Sequence, residues 1–303
     1  NMSFGYQVLG FGGSGTAAST GNDNGIFAYG YPSTNVSNLV TNVGVVGTDV
    51  TGVGTSRNAP AACEFGGDKG IFGFGSDSSP FTAITNLVSN TGVVATDTSG
   101  VGQARYKLGA CDYGGDKGIM GFGASTTPVW AISNLVSNVG VVATDTAAVG
   151  TARFSVGATE YGDDKGIFGF GSIPSVLSMT NLVSNTGVVA TDTTGVGTAR
   201  AFPGGCRYGS AGQAIFAYGS MHAKTNISNL VSNTGVVATD TAGVGTSRDA
   251  PSATQYGQDK GIYAYGDGSA VNMSNLVSNT GVIGTDVTGV GTARLELAAC
   301  SYN

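Results

Sequence analysis

The sequence predicts an all-β fold: a six-bladed β-propeller of four-stranded antiparallel blades, closed by its C-terminal strand. Three observations predict it. One unit of 46 to 48 residues occurs six times along the chain, and each unit contains four short apolar segments separated by turn residues. Glycine accounts for 52 of the 303 residues, which is typical of many short strands joined by tight turns.

The repeat is marked by an arginine, an aspartate and an asparagine that keep their order in every copy. The arginines are Arg57, Arg105, Arg153, Arg200, Arg248 and Arg294. The aspartates are Asp49, Asp97, Asp145, Asp192, Asp240 and Asp286. The asparagines are Asn38, Asn86, Asn134, Asn181, Asn229 and Asn275. Four antiparallel strands per unit favour a propeller over a β-solenoid, whose coils are shorter and whose strands are parallel.

The second copy illustrates the four expected strands, over residues 58–63, 70–75, 84–88 and 93–96. The tetrapeptide Ser89-Asn90-Thr91-Gly92 separates the last two, and its Asn and Gly tolerate the positive φ of a tight turn. Small residues such as Ala61 and Ala62 follow each arginine by four and five positions. Such side chains suit first strands that crowd around a central axis.

The two ends of the chain are expected to complete one blade together. Residues 295–300 look like a first strand with no further strands after them, whereas residues 25–46 supply later strands with no first strand before them. We therefore expect the C-terminal strand to close the ring against the blade of residues 24–50. The predicted organisation is an irregular leader or attachment segment over residues 1–23 and a propeller over residues 24–303.

Composition and charge argue against several classes of function. The net charge of −6 disfavours binding to a nucleic-acid backbone, and no apolar run reaches the 18 residues or so that a membrane-spanning helix needs. His222 is the one histidine, which argues against serine or cysteine triads and multi-histidine metal sites. We predict a protein that is not an enzyme, with no catalytic residues, metal or cofactor.

The sixfold arginines and aspartates are interpreted as structural, because a catalytic site is normally unique whereas a structural pair is repeated with the blade. We expect an ion pair that joins the fourth strand to the loop after it; a ring of ligand-binding arginines is the alternative. Four cysteines each lie six residues after an arginine. Equivalent positions of different blades are too far apart for the ~5.5–6 Å Cα spacing of a disulfide, so free thiols are expected at Cys63, Cys111, Cys206 and Cys300.

A mostly acidic ring is expected at one mouth of the central channel. Its members lie seven residues after the arginines: Glu64, Asp112, Glu160, Arg207, Gln255 and Ser301. We interpret this ring as a solvated rim, with a cation site as the alternative.

The loop between the second and third strands is the predicted binding region, because the repeats differ most there. From the strand-ending glycine to the motif asparagine the spacings are 8, 11, 11, 10, 10 and 9 residues, whereas asparagine to arginine is always 19. Loops on a rigid scaffold commonly carry function. The candidate ligand-binding residues on this face are Tyr31, Phe81, Tyr106, Trp130, Phe154, Leu177, His222 and Lys224. The alternative is that these aromatic side chains merely cover strand ends.

Each unit has the same order of elements: an arginine, a first strand, an apolar second strand that ends in an aromatic residue and glycine (Phe74-Gly75), a third strand, a tight turn and a fourth strand. This order resembles kelch repeats over nearly the whole chain. Leu and Val stand where kelch repeats usually carry Tyr and Trp. The units also resemble repeats in virion structural and tail proteins of tailed phages of aquatic bacteria. That resemblance implies a virion or extracellular location, a tail-fibre or surface role in host attachment, and as partners a host-surface glycan or protein and other virion proteins.

Two other functions stay open. A purely architectural module would pack its ring against neighbouring subunits and should expose a large apolar patch. A glycan hydrolase or lyase would use acids such as Glu64, Asp112 and Glu160, and needs two carboxylates ~5–9.5 Å apart in a pocket.

Overall fold

The computed structural model describes residues 22–77, 81–147, 149–267 and 270–303, and within these ranges the chain is all-β with no helix. The expected leader therefore lies outside the described residues, apart from Asn22 and Asp23. Eighteen strands form six three-stranded antiparallel sheets, and a two-stranded hairpin is inserted in one loop.

Each sheet contains a first, a second and a third strand in spatial order. The first strands are β3 (Ala61–Phe65), β6 (Gly109–Tyr113), β9 (Gly157–Tyr161), β14 (Gly204–Tyr208), β17 (Ser252–Tyr256) and β20 (Ala298–Tyr302). The second strands are β4 (Lys69–Gly73), β7 (Lys117–Gly121), β10 (Lys165–Gly169), β15 (Gln213–Ala217), β18 (Lys260–Ala264) and β1 (Asn24–Ala28). The third strands are β5 (Thr85–Val88), β8 (Ser133–Val136), β13 (Thr180–Val183), β16 (Ser228–Val231), β19 (Ser274–Val277) and β2 (Ser37–Val40). The inserted hairpin is β11 (Ser172–Ile173) with β12 (Ser175–Val176).

The pairing of the chain ends follows the expectation from the sequence. Strand β20 pairs antiparallel with β1, with Cys300 opposite Ile26, in the same register as Cys63 opposite Ile71 in the β3–β4 pair. The C-terminal strand therefore occupies the place that a first strand has in the other five sheets. The first strands contact one another in the cyclic order β3, β6, β9, β14, β17, β20 and back to β3.

The fourth segment of each unit differs from the expected strand, because it meets the third strand at two isolated bridges only. In the second unit these are Val88 with Val94 and Thr85 with Thr98. Between these two bridges the third strand advances by three residues and the fourth segment by four. The additional residue on the fourth segment is that of a β-bulge. The Asn86 side chain occupies the interrupted ladder, where its Nδ2 donates to the carbonyl of Ala95 at 3.0 Å.

The apolar core lies between neighbouring sheets. Second strands are buried on both faces, as in the pattern of β10, where Ile167 and Phe168 are fully buried. Phe168 packs edge-to-face on Phe122 of the preceding sheet at 5.1 Å between ring centroids. The same interface is repeated where the chain ends meet, because Tyr29 packs on Phe72 at 5.3 Å.

The cysteines pack against glycines of the next sheet. A Cβ added to Gly166 would lie 2.4 Å from the Sγ of Cys111, and one added to Gly118 would lie 2.3 Å from that of Cys63. Each thiol therefore occupies the space that the absence of a glycine side chain leaves across the interface. All four cysteines are buried free thiols, and burial raises the pKa of each thiol.

The motif arginines are buried and bind several acceptors. Arg153 Nε donates to the carbonyl of Phe170 at 2.8 Å, Nη2 donates to Asn181 Oδ1 at 2.7 Å, and the guanidinium lies 4.2 Å from the centre of the Phe122 ring. The arginine–asparagine bond recurs in four other units, from Arg57, Arg105, Arg248 and Arg294. In the remaining unit Arg200 donates to the carbonyls of Tyr218 and Phe216 instead.

The aspartates pair differently from the expectation. Asp192 lies 3.9 Å from the Nη1 of Arg153, the arginine of the preceding unit, and the same offset joins Arg105 to Asp145. Asp192 also accepts bonds from the backbone N–H and hydroxyl of Thr151. The expectation that each aspartate binds the loop after its own strand is corrected, because the bulged segment turns its carboxylate toward the arginine and threonine of the preceding unit.

Candidate functional site

The six sheets present two different faces. On the loop face, the loop after each second strand bridges the residue after an arginine, as Ala124 bridges Tyr106 and Ser172 bridges Phe154. On the turn face, the turn after the first strand binds the turn after the third strand in four units, as Asp116 accepts a bond from Asn138 Nδ2 at 3.1 Å. The variable loops and the residues after the arginines therefore share one face, as the sequence predicts.

The eight candidate ligand-binding residues lie on the loop face but differ in exposure. Tyr31 is 53% exposed, and His222 and Lys224 are also exposed. The other five are half-buried: Phe81, Tyr106, Trp130, Phe154 and Leu177. The face therefore offers half-buried aromatic side chains beside three more exposed residues, Tyr31, His222 and Lys224.

Two of these aromatic residues form one platform across a unit boundary. The rings of Phe81 and Tyr106 stack with centroids 4.8 Å apart and an interplanar angle of 19°. The ammonium of Lys107 lies 5.2 Å from the Tyr106 ring and 4.8 Å from the Phe202 ring. A stacked aromatic pair with an adjacent cation can contact both a sugar face and a polar group.

The mouth of the central channel on this face is built from six residues that lie two positions after the arginines. All six have positive φ values, between 48° and 57°: Ala59, Lys107, Ser155, Phe202, Ala250 and Glu296. Four backbone bonds link five of them, all but Ala250, head to tail, for example Lys107 N–H to Ala59 C=O at 3.1 Å and Ala59 N–H to Glu296 C=O at 2.7 Å. These bonds hold a conformation that is rare for residues other than glycine.

An ion pair lies across part of this mouth. Lys107 Nζ is 2.9 Å from Glu296 Oε1, and both side chains are mostly buried. The cavity beneath has a volume of about 120 Å³ and is lined by small residues and by Pro60, Pro203 and Pro251. Lys107 is one of three cations that lie outside the repeated positions of the sequence, which is a partial signal for this pair, whereas no repeat pattern singles out Glu296.

A second depression on the loop face lies between two neighbouring loops. It has a volume of about 420 Å³ and is lined by Val176, Met221, His222, Lys224 and Asp249. An adjoining depression of about 370 Å³ shares Val176 and includes Leu177. Three candidate residues, Leu177, His222 and Lys224, are thus brought to one groove, where Lys224 Nζ lies 3.1 Å from Asp267.

The acidic ring lies inside the channel and differs from the expected solvated rim. Glu64, Asp112 and Glu160 line two cavities, of about 70 and 30 Å³, that follow the mouth cavity along the axis. Burial and the neighbouring charge of Glu160 raise the pKa of Asp112 to about 7. Burial and the charges of Asp112 and Glu160 raise the pKa of Glu64 well above its usual value.

The members of the acidic ring differ in their ion-pair and hydrogen-bond partners. Arg207 Nη1 lies 3.1 Å from Glu160 Oε2, and the same guanidinium also binds Asp163. Asp112 Oδ1 accepts a bond from the backbone N–H of Glu64 at 2.6 Å, and Glu64 Oε2 accepts one from Asn22 Nδ2 at 2.8 Å. Within the described ranges no three histidine, cysteine or carboxylate side chains converge to hold a metal ion directly.

No model of a known protein family matches the chain, and no curated protein matches it. Within the ranges that the structure describes, no helix is long and apolar enough to cross a membrane.

Proposed function

We propose that the six sheets are the blades of a closed six-bladed β-propeller with kelch-like repeats, in which each bulged fourth segment is a blade's outer strand. The cyclic contacts of the first strands support this architecture. So do six backbone bonds between neighbouring sheets, such as Gly123 N–H to Arg153 C=O at 2.9 Å.

The propeller serves as a non-enzymatic binding module of a phage virion, at a tail fibre or surface, and its loop face binds a host-surface glycan or protein. The observation that carries this proposal is the gathering of most repeat-to-repeat variation on one face, where the Phe81–Tyr106 platform lies beside Lys107. Aromatic residues next to polar groups are the usual anchors of such contacts. The virion setting rests on the resemblance of the repeats alone.

The enzymatic alternative has less support. The cavities that Glu64, Asp112 and Glu160 line have volumes of about 70 and 30 Å³, well below the ~300–1,000 Å³ of ordinary ligand pockets. A sugar ring flanked by two carboxylates does not fit in that space.

The binding proposal is tested with residues that the repeat itself supplies. Alanine already occurs at this position of the repeat, because Ala201 is equivalent to Tyr106 and Phe154. The double variant Tyr106→Ala/Phe154→Ala therefore introduces a residue that the fold accepts there. On an array of bacterial surface polysaccharides and surface proteins, we expect its binding to fall on the order of tenfold or more.

The matched control is Val139→Thr on the turn face, where four other units have threonine. Its binding should equal that of the parent protein. Equal binding by the parent and the loop-face variant, or no binding by the parent to any array member, contradicts the proposal.

A scaffold module is the second candidate, and one observation favours it. Six equivalent valines on the turn after each third strand are 58–65% exposed: Val45, Val93, Val141, Val188, Val236 and Val282. Repeated exposed apolar side chains are typical of packing surfaces. This candidate predicts concentration-dependent association in sedimentation, lost when all six valines are replaced by threonine; a monomer at every concentration contradicts it.

A further inference from the structure

The axial cavities contain more negative charge than their surroundings neutralise. Glu64, Asp112 and Glu160 face the same pair of cavities, and Arg207 is the one cation among the ring positions. The smaller cavity is also lined by Asp116 and Lys117, which pair with each other. The guanidinium of Arg207 is shared by Glu160 and Asp163. Glu64 and Asp112 accept bonds from neutral groups, an amide side chain and a backbone N–H. Burial and the charge of Glu160 raise the pKa of both carboxyls and outweigh the charge of Arg207, which lowers it. Desolvated carboxylates that are compensated only in part are costly.

Two further oxygens at the same level are buried without a partner in the described part of the chain. Gln255 is 6% exposed and Ser301 is fully buried, and neither Gln255 Oε1 nor Ser301 Oγ has a hydrogen-bond partner. Gln255 lines both cavities together with Glu64 and Asp112. An unsatisfied buried acceptor costs about 1–3 kcal/mol, so these oxygens indicate an occupant that the described residues do not supply.

The available donors define the chemistry of that occupant. Carboxylate, amide and hydroxyl oxygens are the ligands that hard cations prefer. The cavities, of about 70 and 30 Å³, have room for an ion and a few water molecules but not for an organic cation. Because no three acidic, histidine or cysteine side chains of the described residues converge, the ion must keep part of its hydration water.

We propose that the axial channel binds one partly hydrated divalent metal cation between Glu64, Asp112 and Gln255. The ion neutralises the two carboxylates that Arg207 compensates only in part, and its water molecules bond to the remaining oxygens. It enters through the mouth on the loop face, because the three cavities follow one another along the axis. The mouth cavity shares Ala62 and Ala110 with the second cavity, which shares Glu64 and Asp112 with the third.

The test is calcium binding to the full chain after treatment with a chelator, measured by calorimetry at about pH 8, where ordinary carboxyls are ionised. We expect one saturable site with a Kd of roughly 10⁻⁴–10⁻³ M, and a melting temperature that rises with calcium. Magnesium is the second probe, because it retains more of its water. Absence of saturable binding by either ion would mean that protons neutralise the ring, and it overturns the proposal.

Variants locate the site. Asp112→Gln introduces the residue that Gln255 provides at the equivalent position, and Glu64→Gln removes the other carboxylate with little change of shape. Each should weaken calcium binding on the order of tenfold or more. Asp259→Asn, at the equivalent turn of another unit, lines neither cavity; it is the control and should bind as the parent does. Unchanged binding in both channel variants places the ion elsewhere and also overturns the proposal.

Discussion

Arg294 Nη2 donates a hydrogen bond of 2.6 Å to the Oδ1 of Asn38, although 256 residues separate the two in the sequence. The same bond joins Arg153 to Asn181 within the middle of the chain. Thr292 likewise binds Asp49 as Thr151 binds Asp192. The junction between the chain ends therefore repeats the junctions inside the chain.

The first prediction compares two equivalent arginines. Arg153→Met and Arg294→Met should each lower the free energy of unfolding by about 3–5 kcal/mol, because each leaves a buried set of acceptors without its cation. Chemical denaturation measures both. A loss at Arg294 that is much smaller than the loss at Arg153 would mean that the terminal junction contributes little to stability.

The second prediction concerns the match between cysteine and glycine. Gly166→Ala should destabilise the protein by about 1–3 kcal/mol, because the new methyl group meets the Sγ of Cys111 at 2.4 Å. In the next unit the equivalent positions are Thr159 and Ala214. The double variant Cys111→Thr/Gly166→Ala reproduces that native combination and should regain most of the stability. If the double variant is no better than Gly166→Ala, the two residues are not matched by size.

The third prediction concerns acid stability. Burial alone would raise the pKa of Asp192, but hydrogen bonds from the Thr151 hydroxyl, from Asn181 and from the Thr151 N–H lower it below the usual 3.8. A lowered carboxyl pKa contributes stability that is present above pH 3.8 and is lost as the pH falls through the folded-state value.

Thr151→Gln tests this, because Gln103 occupies the equivalent position and the hydroxyl donor is removed. The variant should melt below the parent at neutral pH, and the difference should shrink as the pH falls below about 3.8. A difference that stays constant across this range would show that the hydroxyl acts independently of the charge on Asp192.

The sequence predicts most of the fold because the repeat makes every local signal appear six times. The third strand expected over residues 84–88 is Thr85–Val88 in the structure. The fourth strand was wrong in detail, because its bulge depends on the Asn86 side chain replacing a backbone partner. The spacing of apolar residues along the sequence does not reveal such a replacement.

The candidate site was predicted in part. Loop lengths identified the loop face, since they vary only where no ladder constrains them. The Lys107–Glu296 pair was missed because its members become neighbours only when the chain ends meet. The acidic ring was expected at one mouth of the channel but lies inside it, because its burial depends on how closely six first strands approach the axis, which spacing alone does not give.

Closure of the ring is tested most directly by hydrogen exchange of the C-terminal strand. The amides of Ala298–Tyr302 should exchange as slowly as those of Ala61–Phe65, because both segments are first strands with the same partners and register. Peptide-resolved mass spectrometry measures both in one experiment. Rapid exchange of Ala298–Tyr302, at the rate of the exposed residues 96–100, would contradict a ring closed by the C-terminal strand.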